Sequence, residues 1–167
     1  MKINSYRNAV NTDGGYTTVG NFLQCIKREK FKIKIDYLRK LKNKEDKRKF
    51  KSASLPCVTI SALFGERKEH DILEYHYLMC LDFDNLADTK HTRKVLEGDP
   101  FTMAVSGSAS GSGLFTIIRL EKKPLEGAEE IRRYHTEQFH NLQIYYKDKY
   151  DLAIDKSCKN VSRLRFV

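Results

Sequence analysis

Apolar and polar positions repeat along the chain with two different periods, which together predict both helices and strands. Apolar spacing typical of a helix face predicts a helix over residues 19–26, with Thr17 or Thr18 as its cap. Helices are also predicted at about 35–50, 87–96 and 127–147. Strands are predicted at 2–6, 55–61, 75–84, 102–106, 114–120, 152–154 and 161–167, with a turn at 11–15 and a polar loop at 63–71.

The order of these elements from residue 75 onward predicts an α+β fold. A strand and a helix precede two strands, a long helix and further strands, an order that favours a sheet with helices on one face. The sheet-facing side of the long helix is predicted to carry Ile131, Tyr134, Phe139, Leu142 and Tyr146. His135 and His140 are five positions apart, so they do not form the i, i+4 pair of a helical zinc site. Both are predicted to lie on the surface of this helix.

Two carboxylates stand at the end of the predicted strand 75–84, in the stretch LMCLDFDNL. Side chains alternate across a strand, so Asp82 and Asp84 share a face with Leu78 and Cys80, while Met79 and its alternates form the opposite, core face. Carboxylates spaced i, i+2 can grip divalent cations for phosphoryl transfer. The structural alternative is a strand that ends in solvent, with Asp84 or Asn85 capping the next helix.

Two later segments could complete such a site. The stretch SGSASGSG, residues 106–113, lies between two predicted strands, and its glycines and hydroxyls suit a phosphate-binding turn or a flexible hairpin loop. In residues 154–166, Asp155 follows an apolar stretch, and Arg163 and Arg165 share one face of the last predicted strand. Paired guanidinium groups suit phosphates, although an edge strand can carry the same charges to discourage pairing.

Charge and cysteine usage narrow the class of protein. Residues 27–51 hold 13 Lys and Arg against 4 Asp and Glu, and this excess accounts for the whole net charge of +9. Such a segment favours a polyanion such as DNA or RNA, or is a solvated helix face. Four scattered cysteines without a CxxC pair indicate reduced thiols and a cytoplasmic protein, and we find no signal peptide or membrane-length apolar run. The end at 163–167, apparently within a strand, indicates a shortened chain or a natural piece of something longer.

The order of these motifs resembles the archaeo-eukaryotic primase (primase-polymerase) superfamily. Closest is the primase-like VirE N-terminal domain family of bacterial mobile elements, which the upstream LPCVTISALF also resembles. The resemblance implies a smaller N-terminal α/β lobe, residues 1–74, beside an RRM-like catalytic sheet, residues 75–167. It also implies nucleotide joining on a template in replication of a mobile element, with a helicase-type domain following in the full-length protein.

The resemblance carries over to individual residues. Asp82, Asp84 and Asp155 match the metal ligands for Mg²⁺ or Mn²⁺. The loop residues that match a nucleoside triphosphate site are Ser108, Ser110, Gly111 and Gly113, followed by the basic strand with Arg163 and Arg165.

One position departs from the family pattern. Where the superfamily has His, or the closer group often Lys, this chain has Phe115, which can neither donate a hydrogen bond nor carry charge. Candidate replacements are Arg119, Lys156 and His76. The alternative functions are therefore a catalytically inactive nucleic-acid-binding module of the same fold, a scaffold domain, or a metal-dependent nuclease.

Overall fold

The computed structural model describes residues 1–11 and 14–167, which form an α+β fold as the sequence predicts. The helices are Val19–Lys27 (α1), Lys32–Lys40 (α2), Lys44–Ser54 (α3), Thr89–Glu97 (α4) and Gly127–Tyr150 (α5). The strands are Lys2–Tyr6 (β1), Gly14–Thr18 (β2), Cys57–Thr59 (β3), Ala62–Phe64 (β4), Ile72–Tyr75 (β5), Leu78–Asp84 (β6), Thr102–Gly107 (β7), Gly113–Arg119 (β8) and Leu164–Phe166 (β9). A short 3-10 helix spans Lys156–Lys159. None of these helices combines the length and apolar character that a membrane-spanning segment needs.

The central sheet is antiparallel, in the order β6-β8-β7, and is covered on both faces. One face packs against α4 and α5 through a single apolar cluster, which includes Met79, Leu81, Phe83, Leu96, Tyr134, Phe139, Leu142 and Tyr146. The predicted sheet-facing side of α5 is confirmed for four of its five residues, whereas Ile131 is buried in a separate cluster with Ala62 and Phe64. Elements from β6 to β9 follow the β-α-β-β-α-β order of a split βαβ unit.

A second antiparallel sheet, in the order β2-β1-β3-β9, lies against the other face of the central sheet. Leu78 and Cys80 of β6 pack there against Ile3 and Val58, with Phe22 of α1 in the same cluster. The last strand, β9, thus comes from residues 75–167 but pairs with β3 from the first half of the chain. Both halves contribute strands to this sheet, which brings β9 alongside the end of β6.

The predicted strand 75–84 is interrupted at Tyr77. This residue has φ +55°, in the left-handed region, and the break separates β5 from β6. Its carbonyl oxygen accepts a hydrogen bond from Leu120 N at 2.8 Å. Beyond the break, β6 pairs in regular register with β8, with Asp82 opposite Phe115 and Asp84 opposite Gly113. The alternation predicted for β6 therefore holds from Leu78 onward.

Several predicted boundaries are wrong. The helix predicted at 35–50 is two helices, because Leu41 is extended and Asn43 Oδ1 accepts Glu45 N at 2.7 Å to begin α3. The loop predicted at 63–71 includes part of β4, residues 152–154 are not a strand, and only Leu164–Phe166 of 161–167 forms one. The turn predicted at 11–15 overlaps β2 at Gly14 and Gly15, and its residues 12 and 13 lie outside the described part. Thr18 caps α1, as predicted.

Candidate metal and phosphate site

The end of β6 and the 3-10 helix bring two of the predicted carboxylates together. Asp82 is 8% exposed on β6, and its backbone oxygen accepts Asp155 N at 3.0 Å, which fixes the start of the 3-10 helix beside the strand. One ligand atom each from Asp82, Asp155 and Cys158 lies within 4.8 Å of the others. Sequence analysis did not single out Cys158, although its position three residues after Asp155 is one turn of a 3-10 helix.

Asp84 stands apart from this cluster but lines the same groove. It is exposed at the end of β6, and the cap of α4 is instead Asp88, whose Oδ1 accepts Lys90 N and His91 N. The structural alternative for Asp84 as a helix cap is therefore excluded. Partial burial, and then the charges of Asp82 and Asp155, raise the pKa of Asp84. Three carboxylates so placed would be stabilised by a cation.

Two guanidinium groups already contact the buried carboxylate. Arg163 Nη2 and Arg165 Nη2 each donate to Asp82 Oδ2 at 2.5 Å, and Arg163 Nη2 also donates to Asp155 Oδ2 at 2.9 Å. Burial alone would raise the pKa of Asp82, but Arg165 and Arg163 lower it below its ordinary value. Arg163 directly precedes β9 rather than lying within it, but both arginine side chains reach the same carboxylate, as expected for the shared face that the sequence predicts.

The serine-rich loop forms a hydrogen-bonded turn at the edge of the groove. Ser108 Oγ accepts Gly113 N at 3.2 Å, and the hydroxyls of Ser108, Ser110 and Ser112 follow one another at 3.2 and 3.1 Å. Gly111 has φ +81°, which favours glycine, and a Cβ at Gly113 would lie 2.3 Å from Phe83 O. Gly111 thus permits the turn itself, and Gly113 lets the turn lie closely against β6. Ser108, Ser110 and Ser112 all line the groove.

A row of cations from α3 forms the facing wall. Lys44, Lys47, Arg48 and Lys51 recur at i, i+3, i+4 and i+7, and Lys42 precedes them. The groove measures about 590 Å³ and is lined by these five cations, two arginines and three carboxylates, a net charge of +4. None of the five forms an ion pair with an acidic side chain of the described residues, because Glu45 pairs instead with Lys49. The groove therefore suits a polyanion.

Only part of the basic segment 27–51 takes part in this wall. Lys32 lies near Glu29 and Asp36, at 3.3 and 3.9 Å, and Lys34 Nζ donates to Ser54 O at 2.8 Å. Lys27 and Lys30 are exposed and do not line the groove. The break between α2 and α3 thus divides the segment into a groove-facing part and an outward-facing part.

Phe115 lies opposite Asp82 in the β6–β8 pairing, but it belongs to the apolar core and does not line the groove. It is 2% exposed, and the Arg165 guanidinium carbon lies 4.6 Å above its ring centroid. None of the three residues predicted as replacements lines the groove among the described residues. Arg119 pairs with Leu78 at the opposite end of β6, and His76 is buried with Nδ1 3.0 Å from Ile60 O. The cations nearest Asp82 are the two arginines.

His135 is a correction to the sequence analysis, which placed it on the surface. It is fully buried on α5, with Nδ1 2.8 Å from the Tyr75 hydroxyl and with no hydrogen-bond partner for Nε2 among the residues that the structure describes. Burial lowers its pKa to about 3. His140 is exposed, as predicted. Neither histidine lines the groove.

Comparison with known proteins gives one family match. The family model described as BT4734-like, N-terminal domain, matches residues 50–167. The matched segment holds all three carboxylates, the serine loop and both arginines, but of the α3 row it includes only Lys51. No curated protein and no solved structure matches the chain.

Proposed function

The chain belongs to the family of BT4734-like N-terminal domains, and we propose that its groove binds a nucleoside triphosphate with Mg²⁺ or Mn²⁺ and joins nucleotides on a nucleic-acid template. The domain would then be a primase-polymerase-like nucleotidyltransferase. One observation carries the proposal: three carboxylates, a turn of serine hydroxyls and seven cations line a single groove. Phosphoryl transfer needs these groups together, since its catalysis consists almost entirely of positioning and charge stabilisation.

The donor set suits a hard divalent cation. Carboxylate oxygens from Asp82, Asp84 and Asp155 are the ligands that Mg²⁺ and Mn²⁺ prefer. Burial raises the pKa of the Cys158 thiol to about 12, so this thiol is protonated at neutral pH when no cation is bound, and hard cations prefer the carboxylate oxygens beside it. Both arginines donate to Oδ2 of Asp82. A bound cation would supply positive charge where negative charge develops on the phosphates.

The remaining groups would hold the substrates. The serine hydroxyls and Arg163 can donate hydrogen bonds to a triphosphate, and Arg165 adds a second guanidinium. The α3 row, which faces the carboxylates, would bind the phosphates of a template or primer strand. The groups that line the groove thus divide into those suited to nucleotide and those suited to strand.

The second candidate function is a catalytically inactive nucleic-acid-binding module. Phe115 favours it, because a buried ring stands where the resembling family has a basic group. The α3 row would still bind nucleic acid in such a module, and the carboxylates would serve only to neutralise the two arginines. A measurement of nucleotide binding separates the two functions.

The test is calorimetric titration of a nucleoside triphosphate with Mn²⁺ into the wild-type domain and into Asp84→Asn. Asp84 forms no ion pair among the described residues, so this variant should fold normally. We expect metal-dependent binding that weakens at least tenfold in Asp84→Asn, because a carboxylate ligand is lost. Asp148→Asn, an exposed change on α5, is the matched control and should bind as wild type does.

Wild-type protein that binds no triphosphate with either metal, yet binds single-stranded nucleic acid, would overturn the nucleotidyltransferase and favour the inactive module. Nucleotide incorporation on a primed template is the subsequent assay. Its product also separates strand extension from strand cleavage.

A further inference from the structure

The carboxylate best placed to hold a cation is already neutralised by the protein. Arg163 and Arg165 both contact Asp82 Oδ2 at 2.5 Å, and Arg163 also reaches Asp155. Two of the three carboxylates in the groove thus have guanidinium partners. A divalent cation that arrives alone would compete with these ion pairs, which in a partly dry site are strong.

Each arginine still has hydrogen-bonding capacity to offer a ligand, and Arg165 has the fewer carboxylate partners, since of the described carboxylates Asp82 alone accepts from it. Arg165 is 8% exposed, and within residues 1–11 and 14–167 the buried Nε atoms of Arg163 and Arg165 have no hydrogen-bond partner. A buried guanidinium that loses its only carboxylate is strongly destabilised unless another anion replaces it. Both side chains line the groove, where a phosphate could take that place. The Phe115 ring under Arg165 would continue to support the guanidinium plane.

We propose that Arg163 and Arg165 make cation binding at Asp82 depend on a polyphosphate. The phosphates accept the guanidinium groups, Asp82 is released, and the cation binds the released carboxylate together with the phosphates. The inference rests on the proposed function and specifies how its site is regulated. Metal and triphosphate then bind with positive coupling, and each raises the affinity of the other by the same factor. Coupling of this kind typically amounts to about 5- to 150-fold.

The first experiment replaces Arg163, which competes with the cation for Asp82, and is done without phosphate. Mn²⁺ alone is titrated into wild type, Arg163→Met and Arg163→Lys, and free Mn²⁺ is followed by electron paramagnetic resonance. We expect Arg163→Met to bind Mn²⁺ at least tenfold more tightly than wild type, because Asp82 and Asp155 both lose a competing cation. Arg163→Lys keeps the charge and should resemble wild type. Arg132→Met, exposed on α5, is the matched control and should not change.

Arg163 is the better target of the two because its side chain is 21% exposed, whereas that of Arg165 is 9% exposed and lies over Phe115. Circular dichroism and thermal melting confirm that each variant folds. If Arg163→Met does not fold, Arg163→Gln provides the same loss of charge with a polar side chain. Equal Mn²⁺ affinity in wild type and the neutral variant overturns the inference, as does an equal gain in Arg163→Lys.

The second experiment adds a triphosphate at fixed concentration, with its own Mn²⁺ complex measured separately and subtracted. In wild type we expect at least a tenfold gain in Mn²⁺ affinity at the protein, and a smaller gain in Arg163→Met. Tight binding of Mn²⁺ alone to wild type, with triphosphate binding intact, overturns the inference and leaves the proposed function in place. Absence of triphosphate binding, with the Arg163→Met gain present, overturns both the proposed function and the dependence on a polyphosphate, and shows only that Arg163 competes with a cation at Asp82.

Discussion

The row of cations on α3 makes a quantitative prediction about nucleic-acid binding. Lys44, Lys47, Arg48 and Lys51 share one helix face and line the groove. Each contact between a cation and a phosphate releases a counterion, which contributes about 0.7 to the slope of log affinity against log salt for a single strand. Replacing all four residues with Gln should therefore reduce the magnitude of that slope by up to about 2.8.

The assay is fluorescence anisotropy of a labelled single-stranded oligonucleotide over a salt series from about 50 to 200 mM. Over that fourfold range of salt, a slope difference of about 2.8 means that the affinity of wild type falls by roughly 50 times more than that of the quadruple variant. Wild type should lose that much more affinity than the quadruple variant. A DNA and an RNA strand of equal length can be compared in the same experiment.

The matched control replaces Lys27, Arg28, Lys30 and Lys40 with Gln. These residues come from the same basic segment, carry the same charge and lie outside the groove. We expect a slope close to that of wild type, since these four side chains do not line the groove and would release no counterions by contact with the phosphates of a strand bound there. Equal reductions in both variants would refute the reasoning, because the whole segment and not the groove would then act on the strand.

Two further predictions concern buried side chains. The pKa of His135 is about 3 in the folded protein against 6.5 ordinarily. Between these two pH values only the unfolded chain binds a proton at this side chain. The free energy of unfolding should therefore fall by about 2 kcal/mol from pH 7 to pH 5. Urea unfolding at both pH values should show a smaller fall in His135→Asn than in wild type or in His140→Asn; equal falls in all three would contradict the burial argument. Phe115→Lys places a cation in the core beneath Arg165. It should therefore destabilise the domain by about 3 kcal/mol or more, and it should not improve nucleotide binding. A stable variant with tighter triphosphate binding would contradict that expectation.

The sequence predicted the placement of the site better than its internal contacts. The period of two in LMCLDFDNL correctly placed Asp82 near the end of a strand. The sequence also predicted that the serine loop and both arginines complete the site of Asp82, and they line the same groove. Alternation and turn chemistry are local properties, which a sequence displays directly. The pairing of the arginines with Asp82 depends on β9 joining β3, a contact between distant parts of the chain that no local pattern encodes.

The errors in secondary structure have similar causes. Tyr77 belongs to a run of aromatic and apolar residues that favours a strand, and nothing in that run indicates its left-handed backbone. The break before α3 was encoded by Asn43, a good cap, but the apolar spacing around it continued the helical pattern. His135 looked like a surface residue because its burial depends on Tyr75, sixty positions earlier.

The pairing of β9 with β3 also has a consequence for how the domain assembles. Val58 lies opposite Arg165, so closing this ladder joins segments 107 positions apart in sequence, and such high-contact-order pairing is entropically demanding and slow. Arg165 reaches Asp82 only when that ladder is closed, because Asp82 belongs to the other sheet. The ion pair in the groove therefore links the two sheets. A ligand that binds across the groove would slow unfolding of the whole chain and not only of the loop it touches.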